Sequence, residues 1–315
     1  GFGASGRNGG QIVNSYSRDL DSVERSVSAD EARLIGAMAF EGGRIIRERI
    51  TRYGIQCDLK NGGVFAAFTH KQMHHLEQQK ALWERYGYDQ LEVLDQDAIR
   101  KIVACDRYIG GTLDKLGGHI QPLNLALGEA AALESLGGII YERTQVIATE
   151  PLDGELAHRL LPQDYCVEDC NYLLDYYRLS ADKRLIYGGG VAYGARDPAD
   201  IESIIRPKML KTFPQLQNVK IEYSWTGNFL LTLSRLPQVG RLGDNIYYSQ
   251  GCSGHGVTYT HLAGKIIAEA LRGQAERFDA FASLPHHPFP GGHQLRVPLS
   301  ALGARYYSLR DRLGI

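Results

Sequence analysis

The sequence predicts a mixed α/β (α+β) chain of two domains. Three observations carry that expectation: 315 residues that are 43% hydrophobic, helix signals concentrated before residue 148, and strand-like composition after it. A chain of this length and apolar content can bury one large core or two smaller ones, and two domains is the ordinary outcome.

The first helix starts at Ser28, where Glu31 completes a capping box. Apolar spacing through Leu34, Met38, Ile45, Ile46 and Ile50 carries it as one long helix to a stop at Gly54. Thr69 with Gln72 repeats the start signal, and Leu76, Leu82 and Trp83 lead to Gly87. A shorter helix is expected over residues 97–103, and another opens on Pro122 and runs to Leu136, before Gly137 and Gly138. Residues 62–68 read as a strand. Beyond Ala148, residues 172–179 and 184–189 flank a polar turn and predict a β-hairpin. Asp197 before Pro198 starts a helix ending near Thr212, while residues 219–224, 229–233 and 245–249 have strand composition. The last strong helix spans residues 256–271. Residues 284–298, rich in proline, glycine and histidine, are expected to form a surface packing arm.

Charge and composition exclude several functions. A formal net charge of −1 with evenly spread signs leaves no basic footprint for nucleic acid and no polybasic membrane anchor. No stretch approaches the ~20 apolar residues of a membrane helix, and no signal peptide is visible, so the cytoplasm is the expected compartment. Five cysteines without C-x-x-C spacing argue against a disulfide scaffold or a zinc site. Cys57, Cys105, Cys166 and Cys170 are expected as buried thiols. No metal site is expected: His286, His287 and His293 have no cysteines or carboxylates beside them and, with His74 and His75, read as surface residues. Small molecules are the expected partners.

Two glycine-rich segments carry the chemistry. Residues 1–11 read GFGASGRNGGQ, in which Gly1, Gly3 and Gly6 match G-x-G-x-x-G. That fingerprint requires a buried strand before its first glycine, and none stands before Gly1, so the literal match is set aside. What remains is an anion cradle of backbone N–H groups with Arg7 and Asn8 as donors. The second segment runs from an apolar strand (Ile246, Tyr247, Tyr248) through GCSGHGVT into a helix with Leu262, Ile266, Ile267 and Leu271 on one face. Such a loop aims several N–H donors and the positive helix end at one point. A reduced flavin carries negative charge at its pyrimidine edge, where donors of this kind raise the electron affinity of the ring. A thiol or serine hydrolase built on Cys252 or Ser253 with His255 is the rival. It is disfavoured because G-x-S-x-G would need glycine at His255, and residues two apart on a turn seldom meet as nucleophile and base. A binding module that keeps the sheet without its cofactor half stays open.

These motifs resemble the flavin-dependent amine oxidoreductases of the D-amino-acid oxidase superfamily. The likeness extends from Gly1 almost to the C-terminus, through GFGASGRNGGQ at Gly1, GGHIQPLNLALGEAAALESLGG at Gly117, YYRLSADKRLIYGGG at Tyr176, WTGNFLLTLSRLPQVGRL at Trp225 and YYSQGCSGHGVTYTHLAGK at Tyr247. The resemblance implies FAD as cofactor. It implies an FAD/NAD(P)-binding-type domain, here incomplete, over residues 1–144 and again over 241–315, with an antiparallel-sheet substrate domain over 145–240. On the same basis Ser5, Gly6, Arg7, Asn8, Gly9, Gly10 and Gln11 lie along the flavin phosphates and ring. Gly251, Cys252, Ser253, Gly254, His255, Gly256, Val257 and Thr258 lie beside the isoalloxazine, with His255 stabilising charge rather than moving a proton.

Two departures from the family pattern weaken the adenine half of the site. The family's first strand, glycine fingerprint and ribose-binding acid have no counterpart. After residues 138–142 the chain also passes through Arg143 and Thr144 directly to residues 145–149, a join that looks like a splice. Weak or absent FAD binding is therefore expected of the chain as written. Amino-acid oxidases of the superfamily carry a carboxylate-gripping arginine two residues after the W-x-G glycine, where this chain has Phe229. An aromatic wall there suits an amine whose reacting carbon bears no carboxylate, such as the primary-amine end of gamma-glutamylputrescine; Trp225, Tyr177 and Tyr187 are expected to complete it. The implied reaction is hydride transfer from the amine-bearing carbon to the flavin, hydrolysis of the imine to aldehyde and ammonia, and reoxidation by dioxygen to hydrogen peroxide.

Overall fold

In the computed structural model, which describes residues 4–136, 150–189, 200–227, 230–243 and 246–313, helices and strands alternate from the start. A short turn α1 (Ala4–Arg7) leads into β1 (Gln11–Ile12), then α2 (Leu20–Glu24), α3 (Ala29–Met38) and α4 (Glu41–Tyr53). Next come β2 (Lys60–Ala67), α5 (His70–Arg85), β3 (Leu91–Leu94), α6 (Gln96–Arg100), β4 (Gly110–His119) and α7 (Pro122–Ser135). The later part holds α8 (Gly154–Leu160), β5 (Cys166–Asp169), the hairpin β6 (Asp175–Leu179) and β7 (Leu185–Gly189), and α9 (Glu202–Thr212). The pair β8 (Gln238–Leu242) and β9 (Ile246–Gln250) precedes α10 (Gly256–Leu271), α11 (Glu276–Ala282) and α12 (Gly292–Leu313).

Local chemistry accounts for many of these boundaries. The Ser28–Glu31 and Thr69–Gln72 capping boxes form, α4 ends at Gly54 in the left-handed conformation (φ 63°), and α7 opens on Pro122. Other expectations are corrected. The long helix over residues 28–54 is two helices, parted at Ala39 and Phe40, because α4 turns to pack its Gly42–Gly43 face on other elements. Helix α6 stops at Arg100, and α9 begins at Glu202, after Asp200 accepts the Ser203 N–H; residues 197 and 198 lie outside the described residues. Residues 219–224 and 230–233 form no strand, since strand composition without a neighbouring edge does not make a ladder. Residue 229 and the join at residues 143–149 lie outside the described residues. The arm expected over residues 284–298 runs into α12, which carries Pro298 inside it at the loss of one helical hydrogen bond. Cys57, Cys105 and Cys166 are buried, whereas Cys170 is only half-buried.

The main sheet has strand order β1-β4-β2-β5-β6-β7, with β3 also paired to β4, so it draws strands from both sides of residue 145. The β2–β5 pair is parallel and the other described pairs are antiparallel. Side chains alternate across such a sheet. One cross-strand row, Val64, Val167, Tyr177 and Tyr187, packs on α6, α8 and α9 through Ile99, Leu160 and Met209. The adjacent row, Phe65, Glu168, Tyr176 and Gly188, therefore faces the other way. A second core joins α2, α3, α5, α10 and α11 around Leu20, Ile35, Trp83, Ile266 and Phe281. A third, smaller one (Ile12, Ile46, Ile55, Ile120, Leu125) lies around β1, α4 and α7.

Helices α4 and α10 touch backbone to backbone. A Cβ on Gly42 would come within 2.3 Å of the Thr258 carbonyl oxygen, and one on Gly43 within 2.2 Å of Asn14 Oδ1. Glu41 clamps the same junction, accepting from Lys265 at 2.7 Å and from Arg277, which also holds Glu269 at 3.1 Å. Asn14 donates to Asp114 and to the Tyr88 hydroxyl, both at 3.0 Å, while Tyr88 donates to Asp114, and burial raises the Asp114 carboxyl. Beside this layer His119, 1% exposed, donates Nε2–H to the Asp164 carbonyl at 2.9 Å. Its Nδ1 is buried with no hydrogen-bond partner among the described residues. Burial, then the Arg178 cation, push the imidazole down to about 4.

Two outcomes follow from this packing. Alanine at Gly42 gains about 1 kcal/mol of helix propensity, but overpacking against a backbone carbonyl costs about 1–3 kcal/mol or more. Gly42→Ala is therefore expected to lower the urea midpoint, and a raised midpoint would refute the close contact. The unfolded His119 titrates near 6.5 and the folded one near 4, so the unfolded chain binds more protons between those values. Stability is then lost as pH falls through that window, by on the order of 3 kcal/mol. His119→Gln should flatten the urea midpoint across this range, and an unchanged slope would exclude His119 as the group.

Candidate active site

The first glycine segment folds as a turn whose carbonyls are already engaged. Asn8 Oδ1 accepts the Gly10 N–H at 2.8 Å, and Asn8 Nδ2 donates to the Ser5 carbonyl at 2.9 Å. Gly10 has φ +77°, and a Cβ there would meet the Ile120 carbonyl at 2.1 Å, so no other residue fits. Trp225 Nε1 donates to the Arg7 carbonyl at 2.9 Å, and Arg178 from β6 donates to the Gly9 carbonyl. Arg178 is 2% exposed; burial lowers it to about 10, and it remains a cation at neutral pH beneath the turn. With the carbonyls of Ser5, Arg7 and Gly9 occupied and a buried cation below, the turn presents positive potential.

The second segment is held in strained conformations. Gly251 (φ +71°), Ser253 (φ 52°) and Gly254 (φ +103°) bend the chain from β9 into α10. Ser253 adopts its left-handed conformation because its N–H donates to the Leu230 carbonyl at 3.2 Å, while its hydroxyl donates to Gly251 and accepts from the Thr232 N–H. His255 occupies the N-cap of α10 without capping it through its side chain, so the positive helix end stays available. His255 Nδ1 is buried without a partner among the described residues, and burial, then Arg235, hold the ring down at about 4. At neutral pH it offers a dipole, not a charge. The Thr258 hydroxyl donates to the Val13 carbonyl at 2.8 Å and ties the two segments together.

Both segments open on one cavity of about 2670 Å³. Of the residues expected to hold cofactor, all but Gly6 and Gly251 line it. Trp225 and Tyr187 line it as well, Tyr187 from the α9 side of the sheet, opposite the face of Glu168 and Tyr176, where it bonds Thr212 Oγ1 at 3.0 Å. Tyr177 does not. Strand alternation puts it on the core side, fully buried, with its hydroxyl on Tyr108 and its ring stacked on Tyr187 at 5.4 Å. Its neighbour Tyr176 takes the cavity face instead, its ring lying where Cβ atoms on Gly9 and Gly188 would otherwise be, 2.7 and 2.2 Å away. Phe229 lies outside the described residues. Sequence reasoning also missed Arg178 and Glu168, a carboxyl on the cavity face that burial, then Asp169, push up to about 7. Its signal was an acidic pair inside the short strand CVED.

The donor set fits the cofactor that the resemblance implies, because an uncapped helix end and a turn with occupied carbonyls both suit anionic oxygens. The family described as FAD dependent oxidoreductase (DAO) matches residues 1–154 and 142–270. Gamma-glutamylputrescine oxidoreductase of Escherichia coli K12 is 59% identical over 365 residues, covering 100% of this chain and 86% of its own. That aligned length exceeds the 315 residues of the chain, so the relative carries residues inside the matched region that have no counterpart here. Probable oxidoreductase OrdL of Haemophilus influenzae is 35% identical, covering 99% and 84%. Among solved structures, glycine oxidase from Geobacillus kaustophilus superposes with a TM-score of 0.65 at 19% identity, over 90% of this chain and 89% of that one. L-proline dehydrogenase from P. horikoshii gives 0.65 at 14% identity, over 84% and 87%, a likeness of fold. Identity across the whole chain, with the family match over most of it, makes this protein a member of the FAD dependent oxidoreductase family.

Proposed function

We propose that this chain oxidises the terminal primary amine of gamma-glutamylputrescine to the aldehyde, consuming dioxygen and water and releasing ammonia and hydrogen peroxide. The observation that carries the proposal is the shared cavity, onto which the turn at residues 5–11 and the loop at residues 252–258 both open. The 59% identity to the E. coli enzyme of that name supports the substrate. FAD, when bound, accepts the hydride and passes the electrons to dioxygen.

The chain's own residues do the rest. Ser5, Arg7, Asn8 and the Gly9–Gly10 backbone hold phosphate oxygens, with Arg178 beneath them supplying positive potential. The N-terminus of α10 and the neutral His255 offer N–H dipoles where negative charge develops on the ring. His255 is a stabilising group and not an acid, because it is unprotonated at working pH. Trp225 and Tyr187 form walls, and Phe229 replaces the arginine that would select a carboxylate on the reacting carbon. Helices α4, α7 and α10 are the cofactor side of the cavity and the sheet is the substrate side. Because the relatives carry residues within the matched region that this chain lacks, its FAD affinity is expected to be low.

The test is reconstitution with FAD followed by a peroxide assay. With FAD in excess, a perturbed visible flavin band that saturates on titration is expected, with peroxide release faster on gamma-glutamylputrescine than on putrescine or D-amino acids. No spectral change at saturating FAD, or preference for a D-amino acid, would overturn the proposal.

A further inference from the structure

We propose that Glu168, projecting from β5 into the cavity between Phe65 and Tyr176, is the anionic group that pairs with the primary ammonium of the substrate. The amine reading supplies only the identity of the ligand; the carboxylate site stands on the geometry. Pairing registers Phe65, Glu168 and Tyr176 side by side on the sheet face opposite the core, and all three line the cavity. The cavity's other acids, Asp19, Glu129, Asp169, Glu202 and Asp311, each accept hydrogen bonds from protein donors. The Glu168 carboxyl group has neither hydrogen bond nor ion pair among the described residues.

A carboxylate set between two aromatic side chains with no counter-charge is costly, and a cation entering the cavity relieves that cost. Burial and the neighbouring Asp169 raise Glu168 to about 7, the mark of that unmet demand. An alkylammonium suits the place for a second reason: the faces of Phe65 and Tyr176 attract a cation as well as an alkyl chain. Position then selects which end of the substrate is held. The Tyr176 ring lies against Gly9 of the cofactor turn, and Glu168 shares a small side pocket with Gln11 and Val13. An ammonium on Glu168 therefore sits beside Gln11, at the end of the turn that leads away from the phosphate-holding residues, while the rest of the chain extends along the cavity.

Calorimetric titration of n-butylammonium, with n-butanol as a neutral counterpart of similar shape, tests this on the full chain. The wild type is expected to prefer n-butylammonium. Glu168→Gln should weaken n-butylammonium by about tenfold or more and leave n-butanol unchanged, while Glu168→Asp, which keeps the charge, retains part of the preference. Equal affinity in wild type and Glu168→Gln, or no preference for the cation in wild type, overturns the assignment. Should Glu168→Gln fail to fold, the wild-type preference and its reduction in Glu168→Asp decide the matter. Ammonium binding that is lost in Glu168→Gln, without peroxide from gamma-glutamylputrescine, would sink the proposed reaction and leave this site standing. Turnover unaffected by Glu168→Gln would do the reverse.

Discussion

The site depends on how closely α4 and α10 approach at Gly42. With no side chain there, the Thr258 carbonyl packs on the bare Cα, and the Thr258 hydroxyl reaches the Val13 carbonyl 245 positions earlier in the chain. That bond sets the start of α10 beside the strand that follows the first glycine turn. The Glu41, Lys265, Arg277 and Glu269 cluster holds the same junction from its rim, where partial exposure limits what ion pairs contribute. Two glycines in a helix lower its intrinsic stability, and here that cost is offset by the contact they permit.

The electrostatics of the cavity follow from what is buried around it. The turn at residues 5–11 has its carbonyls taken up by Asn8, Trp225 and Arg178, so the potential it offers a ligand is positive. On the sheet side Glu168 offers the opposite sign. Desolvation, not pairing, dominates both histidines near these elements, and it keeps His119 and His255 neutral. A neutral His255 narrows its part to orienting a dipole.

Much of the fold was legible in the sequence because it is written locally. Capping boxes at Ser28 and Thr69, the Gly54 stop, the hairpin around residues 180–183 and the span of α10 each depend on residues a few positions apart. What escaped depends on partners far along the chain. Strand β4, for which the sequence offered no expectation, carries four glycines, and Gly111 and Gly118 are there because Cβ atoms would strike the Phe65 and Lys60 carbonyls of β2. The site was half legible for the same reason. Both glycine loops announce themselves, whereas the choice between Tyr176 and Tyr177 is a matter of strand parity that only pairing with β5 decides. Glu168 is hidden by that same parity: in sequence it is one of two adjacent acids, and in the sheet it is the one without a partner.

Ser253 has a consequence for anyone wishing to retarget the enzyme. Its left-handed backbone is secured by Leu230 and Thr232, a few residues after Trp225, which lines the same cavity. The Trp225 stretch and the 252–258 loop thus share one mechanical anchor. Remodelling the stretch around Trp225 also moves the backbone that holds the 252–258 loop, so directed evolution on this scaffold must vary the two segments in the same library.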